Sequence, residues 1–262
     1  MPYSDLCREK ILSEDYHDFI VSDIRMPFLQ DMLEKDCCLQ NPGFFYQCAY
    51  LSKSVIKPVS LENYSYFSIP KCYSLLSMQA LNQAGILPIQ NHSTIQLSGK
   101  QVMIGFLDTG IDYQNPVFQH LDKTTRIAGI WDQTIQSGTP PESFDYGSHY
   151  TPDMINEALA SEDPYSLVPS VDNNGHGTFL ASIAAGSGDP DAQFIGAAPE
   201  SVIAVVKLKQ AKQYLRDYYF IPNTAPAFQE NDIMLGMRYL HLLAEKLGLP
   251  LIFCLALGSN LG

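Results

Sequence analysis

Two residues in this chain have the type and setting for proton chemistry. His176 lies in Asn173-Asn174-Gly175-His176-Gly177-Thr178, and a histidine between two glycines sits on a turn where no neighbouring side chain crowds the imidazole. From Thr178 onward, Phe179, Leu180, Ala181, Ile183, Ala184 and Ala185 read as an apolar, small-residue helix that stops at Gly186. A lone histidine is ordinarily structural; the flanking glycines and the helix mouth single this one out. The second residue is Asp108. It closes the apolar run Val102-Met103-Ile104-Gly105-Phe106-Leu107 and is followed by Thr109-Gly110. Such a run reads as a strand buried on both faces, with the acid at the carboxyl end where parallel sheets place their chemical groups. A carboxylate there can accept the Nδ1 proton of an imidazole, fix its tautomer and stabilise the imidazolium formed in catalysis.

The order acid, then histidine, is that of subtilisin-type proteases, whose serine follows later. Ile104 to Asp112 matches the aspartate motif of the peptidase S8, or subtilase, family, and Gly175-His176-Gly177-Thr178 matches its histidine motif. The resemblance covers roughly residues 100–262. Segments such as Ile130-Trp131-Asp132-Gln133-Thr134 and Lys207 to Leu215 resemble the subtilases of clostridia, a group that includes the Csp proteases of spore germination. The resemblance implies a serine endopeptidase with His176 as general base and Asp108 as its orienting acid, peptides or proteins as substrates, and no cofactor. It implies that Leu257-Gly258-Ser259 is the strand edge that pairs with substrate and borders its pocket.

The family's Gly-Thr-Ser-Met-Ala motif is missing, and so is Gly-x-Ser-x-Gly. Ser182, inside the histidine helix, and Ser259 both read as structural, and Asn260 lies too near the strand edge for an oxyanion role. The chain therefore reads as the N-terminal part of a longer protease, inactive as it stands. A catalytically inactive subtilase serving as a binding or signalling protein is the alternative, and the missing serine position decides between them. Asp108-Thr109-Gly110 is also the signature of aspartic proteases. They need two such carboxylates, and this helix-rich chain has one copy.

The elements around these residues alternate. The strand before Asp108, the histidine helix, the strand Val202 to Leu208, a helix from Glu230 to Leu247 and an apolar strand Leu251 to Gly258 follow one another. In the Glu230 helix, Ile233, Met237, Leu240, Ala244 and Leu247 recur at spacings of three and four, with Gly248 and Pro250 ending it. The pattern predicts an α/β fold, a parallel sheet with helices on both faces in three layers; the resemblance implies that this sheet is subtilisin-like and incomplete at its C-terminus. His176 follows Asp108 by 68 positions. The stretch from Asp132 to Ser170 reads as surface loops plus a helix begun by Thr151-Pro152. Asp145, Asp153, Glu157, Glu162, Asp163 and Asp172 lack the spacing of a metal loop and read as a solvated face; no metal site is assigned, although many subtilases hold structural calcium.

Ahead of this, residues 1–90 form a small α+β unit, and 91–262 the first part of the catalytic domain. Residues 1–40 have a helical tendency, Phe44 to Leu51 reads as a strand and Ser74 to Ala84 as a short helix. By resemblance this unit is a propeptide that assists folding and blocks the cleft. Leu87 to Asn91 is expected to lie through the cleft, with cleavage near Gln90. The chain has 262 residues, a net charge of −12, 46% apolar residues and a mean hydropathy near zero. That balance gives no footprint for nucleic acid or an anionic membrane. No secretory leader or membrane-length apolar run is present. The six cysteines, with no CxxC pair, read as reduced thiols in a cytoplasmic or spore-associated protein.

Overall fold

The computed structural model of the chain describes residues 5–22, 36–43, 45–75, 97–188 and 195–258. Its centre is a five-stranded sheet. Strands β5 (Met103–Asp108), β6 (Ile127–Asp132), β7 (Ser148–Tyr150), β8 (Val202–Lys207) and β10 (Leu251–Cys254) stand in the order β10-β5-β8-β6-β7. Every neighbouring pair is parallel except β6 and β7. Because side chains alternate along a strand, each apolar run supplies both faces of the sheet. Met103 and Leu107 of β5 and Ala204 and Val206 of β8 pack with Ile233, Leu240 and Ala244 of one helix, α6 (Glu230–Leu247). Ile104, Phe106, Ile203 and Val205 point the other way, onto Ala181 and Ala185 of α4 (His176–Ala185). The result is the expected three layers. The remaining helices are α2 (Pro152–Ala160), α3 (Pro164–Leu167) and α5 (Gln213–Tyr218). Thr151 caps α2 by accepting from the Met154 amide, as its Thr-Pro start foretells.

The N-terminal residues build helix α1 (Asp5–Leu12) and strands β1 (Tyr16–Ser22), β2 (Cys37–Gly43) and β3 (Tyr46–Ser52). The three strands form an antiparallel sheet in the order β1-β3-β2. The helical tendency of residues 1–40 is met in α1 and overridden in β1 and β2, since Phe19, Ile20 and Val21 are buried as a strand. One sheet face joins the core under α6 through Cys48 and Tyr50, and the other closes over Phe19, Val21, Ala49 and Leu51. Strand β4 (Cys72–Leu75) leaves this unit and inserts between β9 (Phe228–Gln229) and β11 (Leu257–Gly258), antiparallel to both. Ser74 and Leu75 therefore begin no helix; the rest of that expected helix, and Leu87 to Asn91, lie outside the described residues.

Three further expectations are corrected. Cys7 of α1 and Cys38 of β2 form a disulfide, their Cα atoms 5.4 Å apart where the helix packs on the sheet. The chain thus does not carry six thiols, and the argument from thiols to a reducing compartment loses its premise. The apolar stretch from Leu251 is not one buried strand. It breaks after Cys254, and Ile252 and Phe253 of the edge strand β10 are 56% and 38% exposed. Finally, the stretch between Asp132 and Ser170 is more than surface loop: Phe144, Tyr146 and Tyr150 are buried, two of them against Trp131. Among the described residues, no helix is long and apolar enough to cross a membrane.

Two half-buried histidines give the fold a pH dependence. His17 stacks on Tyr214 with ring centroids 3.8 Å apart, and burial, then Lys53, lowers its pKa to about 4. His149 packs edge-on to Tyr239, and burial, then Lys246, lowers it to about 4 as well. The unfolded chain holds these protons near the ordinary value of about 6.5. It binds more protons than the fold between the two values, so stability is complete above the upper one and is lost as pH falls toward the lower. The urea midpoint is expected to drop between pH 7 and pH 4.5. A His17→Gln, His149→Gln double variant should show a smaller drop, since carboxylate contributions are common to both proteins.

Candidate active site

Asp108 and His176 meet at the carboxyl edge of the sheet. Asp108 ends β5 with 1% exposure, and His176 opens α4. His176 Nδ1 lies 2.9 Å and 3.0 Å from the two carboxylate oxygens of Asp108. The Thr109 amide donates to the same carboxylate at 2.7 Å. Burial raises the Asp108 carboxyl above its usual range, while the His176 and Thr109 hydrogen bonds pull it back. With Nδ1 held by an ionised acid, Nε2 is the basic nitrogen of the neutral ring. That is the arrangement of a general base with its orienter.

The backbone that makes this meeting possible depends on glycine twice. Gly175 takes a left-handed φ of 82° just before the helix, although a Cβ there would meet nothing within 4 Å. Its requirement is conformational. Gly177 is a matter of space: a Cβ would lie 2.2 Å from the Gly110 carbonyl oxygen and 3.1 Å from Asp108 Cβ. Gly177→Ala is expected to push the two loops apart and cost about 3 kcal/mol, the upper end for overpacking. Urea unfolding measures the cost; a change within error would refute the close approach.

Asp172, read from sequence as part of a solvated face, is instead the clamp between the two loops. Its Oδ1 accepts from Thr109 Oγ1 at 2.8 Å, from the Gly175 amide at 2.9 Å and from the Asn174 amide at 3.2 Å. Its Oδ2 accepts from the Thr178 amide at 2.8 Å and from Thr178 Oγ1 at 2.7 Å. Burial alone would raise this carboxyl, but the bonds from Thr178, Thr109 and Gly175 outweigh it and hold it below the usual range. Thr109 Oγ1 also accepts from the Gly177 amide at 3.0 Å, and the Asp112 amide donates to Thr178 Oγ1 at 2.9 Å. The signal in the sequence was an acid just ahead of a helix start, where it can take up amide donors.

Lys207 was also missed. It ends β8 in register with both Asp108 and Asp132. Its Nζ pairs with Asp132 Oδ2 at 3.3 Å and donates to the Val171 carbonyl at 2.8 Å. Ser170 Oγ donates to the same Asp132 oxygen at 2.7 Å. The long excursion after β6 is thereby fastened to the sheet just before Asp172.

The other sequence-assigned residues fall elsewhere. Ser182 Oγ donates to the Thr178 carbonyl within α4 at 2.8 Å, a bond internal to the helix. Leu257 and Gly258 form β11 and pair with Leu75 and Ser74; Ser259 and Asn260 lie outside the described residues. Cys254 is a thiol near this edge, but burial, then the charge of Asp108, pushes it up to about 11, too high for a nucleophile at neutral pH. Among the described residues the cluster with metal-ligand geometry is Cys7, Cys38 and Asp145, two of which are joined as the disulfide.

Comparisons with known proteins show the family. The profile of the subtilase family, peptidase S8, matches residues 99–232. The chain is 32% identical over 131 residues to the subtilisin-like protease SBT2.2 of Arabidopsis thaliana, covering 43% of this chain and 15% of that protein. For the subtilisin-like protease SBT2.1 of the same plant the figures are 30% over 132 residues, 43% and 15%. The CspB protease of Clostridium perfringens has a similar structure, with a TM-score of 0.54 and 33% identity over 68% of this chain and 32% of that one. The chain thus spans only a minor part of the length of these relatives. With the profile matching over half the sequence, this chain belongs to the subtilase family.

Proposed function

We propose that this chain is the N-terminal part of a subtilisin-type serine endopeptidase that hydrolyses peptide bonds in peptide or protein substrates. His176 takes the proton from a serine hydroxyl supplied beyond residue 262 and returns it to the leaving amine. Asp108 holds the ring in the productive tautomer and stabilises the imidazolium. The observation that carries this reading is the contact of His176 Nδ1 with both oxygens of buried Asp108, at 2.9 Å and 3.0 Å. In this reading Leu257, Gly258 and Ser259 form the substrate-binding edge and residues 1–90 are a propeptide, with 91–262 beginning the catalytic domain. The antiparallel seat of β4 between β9 and β11 supports it, since a strand of the chain itself lies along the edge assigned to substrate. Cleavage is placed after β4, near Gln90.

Without its serine and oxyanion donors, the chain of 262 residues should not turn over peptides; one such donor alone is commonly worth about 100–1000-fold in rate. The test is to treat this chain, and the protein extended through its serine, with a fluorophosphonate probe and a peptide substrate. Labelling and turnover are expected only in the extended protein, whose mature N-terminus mass spectrometry should place close to Gln90. Labelling of a serine within residues 1–262 would overturn the assignment. An extended protein that is inert and uncut would favour a pseudoprotease acting as a binding protein.

A further inference from the structure

Away from the Asp108–His176 site, one carboxylate is buried in a nest of donors. Asp18, in the middle of β1, is 1% exposed, and Lys212, just before α5, is 3% exposed. The Lys212 ammonium pairs with Asp18 Oδ1 and donates to the Tyr16 carbonyl at 3.0 Å. The second Asp18 oxygen accepts from Gln229 Nε2 at 2.6 Å and from Asn231 Nδ2 at 3.0 Å. These donors brace one another: Gln229 Oε1 accepts from the Lys212 amide at 3.0 Å, and Gln229 Nε2 reaches Asn231 Oδ1 at 3.0 Å. The Tyr214 hydroxyl accepts from the Asp18 amide at 2.8 Å and donates to the Asp18 carbonyl at 2.9 Å. The Tyr50 ring lies under the ammonium at 5.5 Å.

The side-chain donors come from α5 and the residue just before it, from β9 and from the first turn of α6, and the single acceptor carboxylate comes from the N-terminal sheet. We infer that this face is a carboxylate-reading socket whose partner is a largely apolar β-strand carrying one carboxylate, and that the N-terminal unit is seated on the rest of the protein through Asp18. A buried ion pair adds little net stability, but either charge left buried alone is strongly unfavourable. The pair therefore acts on specificity: a strand with a neutral or basic residue in place of Asp18 is rejected, while apolar contacts hold the correct one. The inference deepens the propeptide reading by naming what recognises the unit, but it does not depend on catalysis or on the chain being cut.

Amide hydrogen exchange on the intact chain tests it. Asp18→Asn and Lys212→Met should each speed exchange in β1 and β3 by at least ~10-fold, with β5 and β8 changed less than ~2-fold, as for release of one cooperative unit. The charge-swapped D18K/K212D protein should recover a large part of the lost protection. If a single variant fails to fold, D18L/K212M, which leaves no charge unpaired, should restore folding. Unchanged exchange in Asp18→Asn would overturn the inference. So would faster exchange spread evenly over β1, β5 and β8, or failure of both double variants to recover protection. Failure of cleavage near Gln90 would count against the propeptide reading alone.

Discussion

Alanine in place of His176 is expected to lower kcat by about 10⁶-fold in the protein extended through its serine, the scale seen when a subtilisin loses its histidine. In the proposed mechanism the ring takes the serine proton, and its contact with Asp108 fixes which nitrogen is basic. KM should change little, because the imidazole acts on the reacting hydroxyl rather than on substrate binding. Asp108→Asn should cost about 10⁴-fold through the wrong tautomer, since an amide donates where the carboxylate accepts. Steady-state kinetics on a chromogenic peptide, with circular dichroism to show that each variant is folded, measure both losses. Activity of folded His176→Ala within tenfold of the parent would remove His176 from the chemistry.

The second large effect is expected at Asp172. Alanine there strands donors from three amides and two threonine hydroxyls, in a half-buried position where unpaired donors cost about 1–3 kcal/mol each. Water will satisfy some of them, so a loss of roughly 3 kcal/mol is the expectation. The consequence reaches the site, because Thr109 adjoins Asp108 and Thr178 lies two residues after His176. The ring resonances of His176 should move in NMR spectra of Asp172→Ala, with the core spectrum preserved. Ring resonances unmoved from the parent, in a protein of unchanged stability, would return Asp172 to the solvated face on which its sequence context puts it.

Much of the fold and both residues of the pair were legible in the sequence, because their signals are local. An apolar run ending in Asp108-Thr109-Gly110 reads as a buried strand with an acid at its tip. A histidine between glycines ahead of small apolar residues reads as the start of a closely packed helix. Helix α6 was legible from its three-and-four spacing and its glycine stop. What the sequence could not convey depends on partners far along the chain. Asp172 looks the same in a loop whether water or Thr109, 63 residues away, binds its carboxylate. Asp18 meets Asn231 across 213 residues, and the Cys7–Cys38 bridge arises only because α1 lies on β2. The apolar run from Leu251 breaks after Cys254 because its two halves join different sheets. Periodicity states which face of an element avoids water; which polar group waits on the other side is decided by packing, where a buried donor or charge is tolerated only beside its partner.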